Sequence, residues 1–201
     1  IEYAKRIQEA ILPDKGSIFH QLPESFILYR PKDIVSGDFY WFGVVGSKKI
    51  IAVVDCTGHG VPGAFMSMIG HNLLNQIILE KKITDPGRIL SELRISVRAA
   101  LKQEGKERET SDGMDVSLAL LDTDSSELHY AGAFRPLILI KNNSVEKIEG
   151  DKSPIGGAKI SGLEEYTTHV RKLSPGDTFY MYSDGFVDQF GGPKGKKFMG
   201  K

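Results

Sequence analysis

Asp55 closes the apolar run Ile50-Ile51-Ala52-Val53-Val54 and opens the stretch Asp55-Cys56-Thr57-Gly58-His59-Gly60-Val61-Pro62-Gly63-Ala64. A β-branched aliphatic run that stops on an aspartate reads as a buried strand delivering one carboxylate to a sheet edge. The glycines that follow let backbone approach whatever that carboxylate holds, and Pro62 suits the first turn of a helix. The arrangement recurs twice. Thr178-Phe179-Tyr180-Met181-Tyr182 runs into Ser183-Asp184-Gly185, and Ser36-Gly37-Asp38 precedes the strand-like Phe39–Val45. Three aspartates at strand ends, each with glycine close by, form an oxygen-donor set suited to magnesium or manganese. Asp-Gly pairs are also ordinary turn residues. The strand context shared by all three favours metal.

Other residues carry chemistry less directly. His59 could serve as a general acid for a leaving group, or it could cap or pack locally. Arg30, in Tyr29-Arg30-Pro31, suits bidentate phosphate recognition, with a surface ion pair as the plain alternative. In Ser111-Asp112-Gly113-Met114-Asp115, Asp112 reads as a cap for the strand that follows. Asp115 stays open, one residue into an apolar run. Cysteine-phosphatase chemistry needs arginine six residues after Cys56, where Pro62 stands. A P-loop fails too, because Gly58 to Gly63 is followed by Ala64 and Phe65. Asp122-Thr123-Asp124 resembles the nucleophile loop of haloacid-dehalogenase-type phosphatases, but it falls between hairpin-paired strands and reads as a turn.

The elements that must position these groups follow from periodicity. The spacing predicts a helix over 1–12 ended by Pro13, with Ala4, Ile7 and Ile11 as either a coiled-coil seam or the face of an amphipathic helix lying on its own domain. Strands are predicted at Phe26–Arg30, Phe39–Val45 and Lys49–Val54, the last two joined by a Gly46-Ser47 turn. An apolar helix follows from Pro62 to about Leu79. A second, capped by Asp85 with Pro86 at its first position, runs to about Gln103. The charged segment Lys102–Arg108 reads as a solvated helix end and loop. Hairpin strands are then expected at Val116–Leu121, Glu127–Ala131, Pro136–Lys141, Val145–Glu149, Tyr166–Lys172 and Thr178–Tyr182. Antiparallel strands around two central helices predict an α+β layered fold, sheet on sheet with helices outside.

Composition narrows the function classes. With 201 residues the chain can build one domain around a real core. It carries 26 basic and 26 acidic residues, so net charge gives no reason to expect nucleic acid or a membrane surface as partner. Its sequence shows no signal peptide and no apolar stretch long enough to span a bilayer. A lone cysteine excludes an internal disulfide and fits a cytoplasmic setting. Both ends read as cut from a longer polypeptide.

Four motifs in order, Ser36-Gly37-Asp38-Phe39-Tyr40, Asp55 to Ala64, Ser153-Pro154-Ile155-Gly156-Gly157 and Tyr182-Ser183-Asp184-Gly185, resemble the metal-dependent serine/threonine phosphatases of the PPM class. More narrowly they resemble its bacterial SpoIIE/RsbU branch, from Ala4-Lys5-Arg6-Ile7-Gln8 to Phe190-Gly191-Gly192. The resemblance implies a PPM-type sandwich of two antiparallel β-sheets flanked by α-helices, four layers in α-β-β-α order, with its C-terminal part missing here. It implies two manganese or magnesium ions, bridged by Asp55, with Asp38 and Asp184 on one ion each and the Cys56 backbone carbonyl as a further ligand. A metal-activated water would then attack phosphorus directly, with Arg30, Gly58 and His59 as candidates for the phosphate.

Residues 1–13 would be the end of a helical linker from an upstream sensor or repeat domain, able to pair with a second copy, and 14–201 the phosphatase domain. Relatives act on anti-anti-sigma (STAS-type) phosphoproteins in bacterial signalling. Three departures stand out. The family pattern ends with an Asp-Asp-x-Thr-like strand that this sequence stops short of; Thr57 stands where animal-type relatives place a histidine; and Ala131-Gly132-Ala133-Phe134-Arg135 replaces an Asn-Ala-Gly-His motif. A catalytically inactive PPM-like module that binds a phosphoprotein, and a phosphohydrolase acting on small molecules, are the competing readings.

Overall fold

The computed structural model describes residues 2–103, 111–157, 165–191, 193 and 195–197. Residues 104–108 of the charged segment and Gly192 of the last matching motif lie outside them. The chain opens with helix α1, Glu2–Ile11, and a short helix α2, Lys15–Gln21. Strands β1, Phe39–Val45, and β2, Lys48–Cys56, then pair antiparallel. Alternation fixes their faces: Phe39 lies opposite Val54 and Trp41 opposite Ala52, and all four are buried on the same side. Across β2 lies β3, Gly113–Asp122, which pairs in turn with β4, Glu127–Ala133. Short strands β7, Ile155–Gly156, and β8, His169–Lys172, join β3 and β4 respectively.

Helices cover one face of this six-stranded sheet. Helix α3, Gly60–Leu74, continues into a π-helical turn, Asn75–Glu80, where a single regular helix to Leu79 was expected. The wider turn brings the adjacent Ile77 and Ile78 both fully into the core, and Trp41 Nε1 donates to Asn75 Oδ1 at 2.9 Å. Helix α4, Pro86–Ala100, starts as the sequence predicts: Asp85 accepts from the Arg88 amide at 2.9 Å. Its Ile89, Leu90, Leu93 and Val97 pack against the sheet residues in one continuous core.

The opposite face carries a second antiparallel sheet, β5, Leu137–Lys141, between β6, Ser144–Ile148, and β9, Thr178–Met181. Ala119, Leu128 and Tyr130 of the first sheet meet Leu137, Leu139 and Ile148 of the second in a separate apolar cluster. Helix α5, Asp184–Val187, and the two-residue strands β10, Phe190–Gly191, and β11, Lys196–Lys197, follow. This is the expected α+β sandwich of antiparallel sheets with helices.

Elsewhere one expected strand does not form and one helix goes unpredicted. Phe26–Arg30 is not a strand: among the described residues no strand pairs with it, and Phe26 and Leu28 are exposed. Helix α2 goes unpredicted although Asp14 caps it, accepting from the Ser17 amide at 2.7 Å. Gly16 and its short length hide the periodicity. Asp122 does form the expected turn, its carboxylate accepting from the Asp124 amide at 3.0 Å. Among the described residues no helix is long and apolar enough to cross a membrane.

Candidate metal centre

Strand register builds the site. Asp55 pairs directly with Asp115 of β3, and by alternation both carboxylates project towards the second sheet. Like charges directly opposite each other repel, so the pair needs a cation. Arg135, just after β4, supplies one. Its Nη2 lies 2.6 Å from Asp55 Oδ2, 3.1 Å from Asp115 Oδ2 and 3.0 Å from Asp184 Oδ2. The Asp184 amide also donates to Asp55 Oδ2 at 3.2 Å. Asp38, immediately before β1, is held beside them by the Ser183 hydroxyl, which donates to its Oδ2 at 2.7 Å.

The electrostatics are those of crowded carboxylates. Burial, then the charge of Asp38, pushes Asp55 up to about 7, although Arg135 pulls the other way. Burial also raises Asp115, with Arg135 again opposing. Cys56 ends β2 with its thiol buried; burial first, then the charges of Asp55 and Asp38, raise it well above the ordinary thiol range. It stays neutral and is no nucleophile.

Close backbone contact joins the two loops that carry Asp38 and Asp55. A side chain on Gly37 would meet the Gly58 carbonyl at 2.7 Å and the Cys56 carbonyl at 3.2 Å; one on Gly63 would meet the Gly37 Cα at 2.9 Å. The Cys56 carbonyl therefore faces the Asp38 loop. Thr57 donates its hydroxyl to Asp112 at 3.0 Å and accepts from the Gly113 amide at 3.0 Å, tying the Asp55 loop to the start of β3. Asp112 thus serves this junction.

The donors suit a hard cation. Three carboxylate oxygens converge on a single guanidinium nitrogen, a point-charge arrangement and not the two-pronged fork of an arginine–carboxylate pair. The Arg135 Nε is buried and has no hydrogen-bond partner among the described residues. Among the described residues no three His, Cys, Asp or Glu side chains are grouped so as to hold a metal ion in this structure.

The sequence named Asp38, Asp55 and Asp184, and the fold brings them together. It left Asp115 open and missed Arg135. The signals were a carboxylate inside an apolar strand and a lone basic residue closing an apolar hairpin, where the Asn-Ala-Gly-His motif is replaced. His59 precedes α3 and is exposed, its Nδ1 3.3 Å from Asp33. Gly58 turns with φ +83°. Arg30 is exposed and makes no ion pair with the carboxylates, but the hydroxyl of its neighbour Tyr29 donates to the Asp38 carbonyl at 3.2 Å.

The model of the stage II sporulation protein E (SpoIIE) family matches residues 46–201. The chain belongs to the SpoIIE family. Among solved structures, this SpoIIE-family chain is similar to the SiaA-PP2C domain of Pseudomonas aeruginosa, 36% identical with a TM-score of 0.86, over 99% of this chain and 76% of that one. The RsbU and RsbW domains of a Mycobacterium tuberculosis protein match at 25% identity and a TM-score of 0.61, over 81% of this chain and 42% of that one. A structure of the PP2C phosphatase domain of SpoIIE from Bacillus subtilis, with a fragment of its regulatory domain, shares the fold at 23% identity and a TM-score of 0.60, over 78% of this chain and 43% of that one. No curated protein matched the chain. The SpoIIE-family sandwich is thus that of PP2C-type, or PPM, phosphatase domains.

Proposed function

We propose that this domain is a metal-dependent phosphoserine/phosphothreonine protein phosphatase. The observation that carries it is the convergence of Asp55, Asp115 and Asp184 on one cationic point, with Asp38 held alongside. Asp38, Asp55, Asp184 and the Cys56 carbonyl would hold two manganese or magnesium ions, which when bound supply an activated water and offset charge on the phosphate oxygens.

The chain's own residues orient and tune that set. Ser183 fixes the Asp38 carboxylate, the Asp184 amide fixes Asp55, and Thr57 with Asp112 holds the loop from which the Cys56 carbonyl points. Arg135 neutralises the carboxylates, and its guanidinium is also suited to a phosphate oxygen. Arg30, Gly58 and His59 stand as the phosphate-side residues, Arg30 because Tyr29 anchors its segment to Asp38. Cys56 is buried and neutral, which fits direct attack by water without a covalent enzyme intermediate.

Membership of the SpoIIE family and likeness to RsbU domains support an anti-anti-sigma, STAS-type phosphoprotein as substrate, in cytoplasmic bacterial signalling. Solved relatives include a phosphatase domain with part of a regulatory domain and a chain joining RsbU and RsbW domains. By that likeness, 1–13 is the end of a linker from an upstream domain, able to pair with a second copy, and 14–201 is the phosphatase unit.

The test is hydrolysis of an aryl phosphate and of a phosphoserine protein, with and without manganese, by this chain and its Asp55→Asn variant. Manganese-dependent turnover that disappears in the variant is the expected result. Manganese binding without turnover would leave a phosphoprotein-binding module, and a strong preference for nucleotides or sugar phosphates would replace the protein substrate.

A further inference from the structure

Gln8 is the only buried residue of α1. It is 4% exposed, whereas Ile7 is 38% and Tyr3 74% exposed. A helix docked by its apolar stripe would hide those side chains first. Here a polar amide goes in, and all of its bonds are accounted for. Nε2 donates to the Ser36 carbonyl at 2.6 Å and to the Ser67 hydroxyl at 2.9 Å, while Oε1 accepts from the Ser36 amide at 2.9 Å.

Both partners belong to the site's framework. Ser36 lies two residues before Asp38, in the loop whose Gly37 packs against Gly58 and Gly63. Ser67 sits on α3, one turn after Gly63, and donates onward to the Ala64 carbonyl at 2.8 Å. One side chain therefore pins the Asp38 loop to the helix that continues the Asp55 loop. Backbone Ser36 offers one donor and one acceptor side by side, and a primary amide matches both at once. A carboxylate or an aliphatic side chain of the same size does not.

We propose that Gln8 is a positioning residue for the metal centre. Its amide fixes the Ser36–Asp38 loop against α3 and so helps to set where the Asp38 carboxylate stands. The inference rests on the reading of Asp38 as a metal ligand.

Manganese calorimetry and amide hydrogen exchange on the wild type, Gln8→Ala, Gln8→Glu and Ser67→Ala, well below their melting temperatures, test it. Gln8→Ala and Gln8→Glu are expected to weaken manganese binding by about 10- to 100-fold, the usual effect of losing a group that orients a ligand. Exchange at Gly37 and Asp38 should speed up in both. Ser67→Ala keeps both bonds to Ser36 but removes the tie to α3, so it is expected to weaken manganese binding and speed exchange at 37–38 in the same direction as the Gln8 variants, by a smaller factor. A lowered melting temperature with unchanged manganese affinity and unchanged exchange at 37–38 would show mere structural packing and overturn the proposal. If Gln8→Ala fails to fold, the isosteric Gln8→Glu decides by the same readouts. If the wild type binds no manganese, the phosphatase reading falls, and equal exchange in wild type and variants overturns the role of Gln8 separately.

Discussion

Asp55 is a residue whose charge works against the fold that carries it. Its folded value of about 7 lies above the ordinary carboxylate value of 3.8, because burial and Asp38 disfavour ionisation. A carboxylate raised in this way contributes stability that is present below pH 4 and lost as pH rises through about 7. The metal-free Asp55→Asn protein should therefore gain on the wild type as pH goes from 4 to 8. We expect a gain on the order of 2 kcal/mol at the upper end, discounted because the group is partly solvated. Paired thermal melts at pH 5 and pH 8 check it; a gain that shrinks towards pH 8 would contradict the sign. Arg135 gives the complementary case. Arg135→Met leaves Asp55, Asp115 and Asp184 without their shared cation, and the metal-free protein should lose about 1–3 kcal/mol. Manganese should bind the variant more tightly, since no guanidinium competes for the carboxylates, and calorimetry would show it. Weaker manganese binding in the variant would mean that Arg135 helps to build the site.

At the scale of elements, the site is two loops held in contact by glycine. A methyl on Gly63 would meet backbone on two sides, the Gly58 carbonyl at 2.7 Å and the Gly37 Cα at 2.9 Å, and backbone cannot rotate away as a side chain can. Gly63→Ala is expected to push the Asp38 and Asp55 loops apart and weaken manganese binding by about 10-fold or more, while far-ultraviolet circular dichroism stays that of the wild type. Wild-type affinity in a folded Gly63→Ala protein would show that the contact is incidental. Helix α4 is set by its cap. Asp85 accepts both from the Arg88 amide and from the Thr168 hydroxyl, so Asp85→Ala removes the cap and a tie to the segment before β8. A loss of about 1–2 kcal/mol in denaturant melts is expected, with manganese affinity unchanged.

On the scale of the whole molecule, two apolar clusters on either side of one sheet set the stability, and the metal centre sits at that sheet's end. Leu93 of α4 is fully buried in the larger cluster, so Leu93→Ala should cost about 2–5 kcal/mol. Manganese at about 100 times its dissociation constant should return about 2.7 kcal/mol to a protein that binds it only when folded. A melting temperature that rises with manganese in the wild type and not in Asp55→Asn would place the ion at these carboxylates.

Local pattern is enough for much of this protein. Alternation marks β1 and β2, the Asp85-Pro86 pair starts α4, and apolar runs stopping on Asp55 and before Asp184 bring carboxylates to strand ends, because each of these effects acts within a few residues. What pairs with what is not local. Asp115 faces Asp55 only because β3 crosses β2 in one register, and a shift of one residue would turn it to the helical face. Arg135 reaches the carboxylates only because β4 lies beside β3 and the chain turns back after Ala133. Phe26–Arg30 has the pattern of a strand, but among the described residues no strand pairs with it, so it forms none. Gln8 is buried by tertiary packing alone, since only the assembled Ser36 and Ser67 groups offer its amide a full set of partners. Sequence determines which groups each element presents, and long-range packing decides which of them meet.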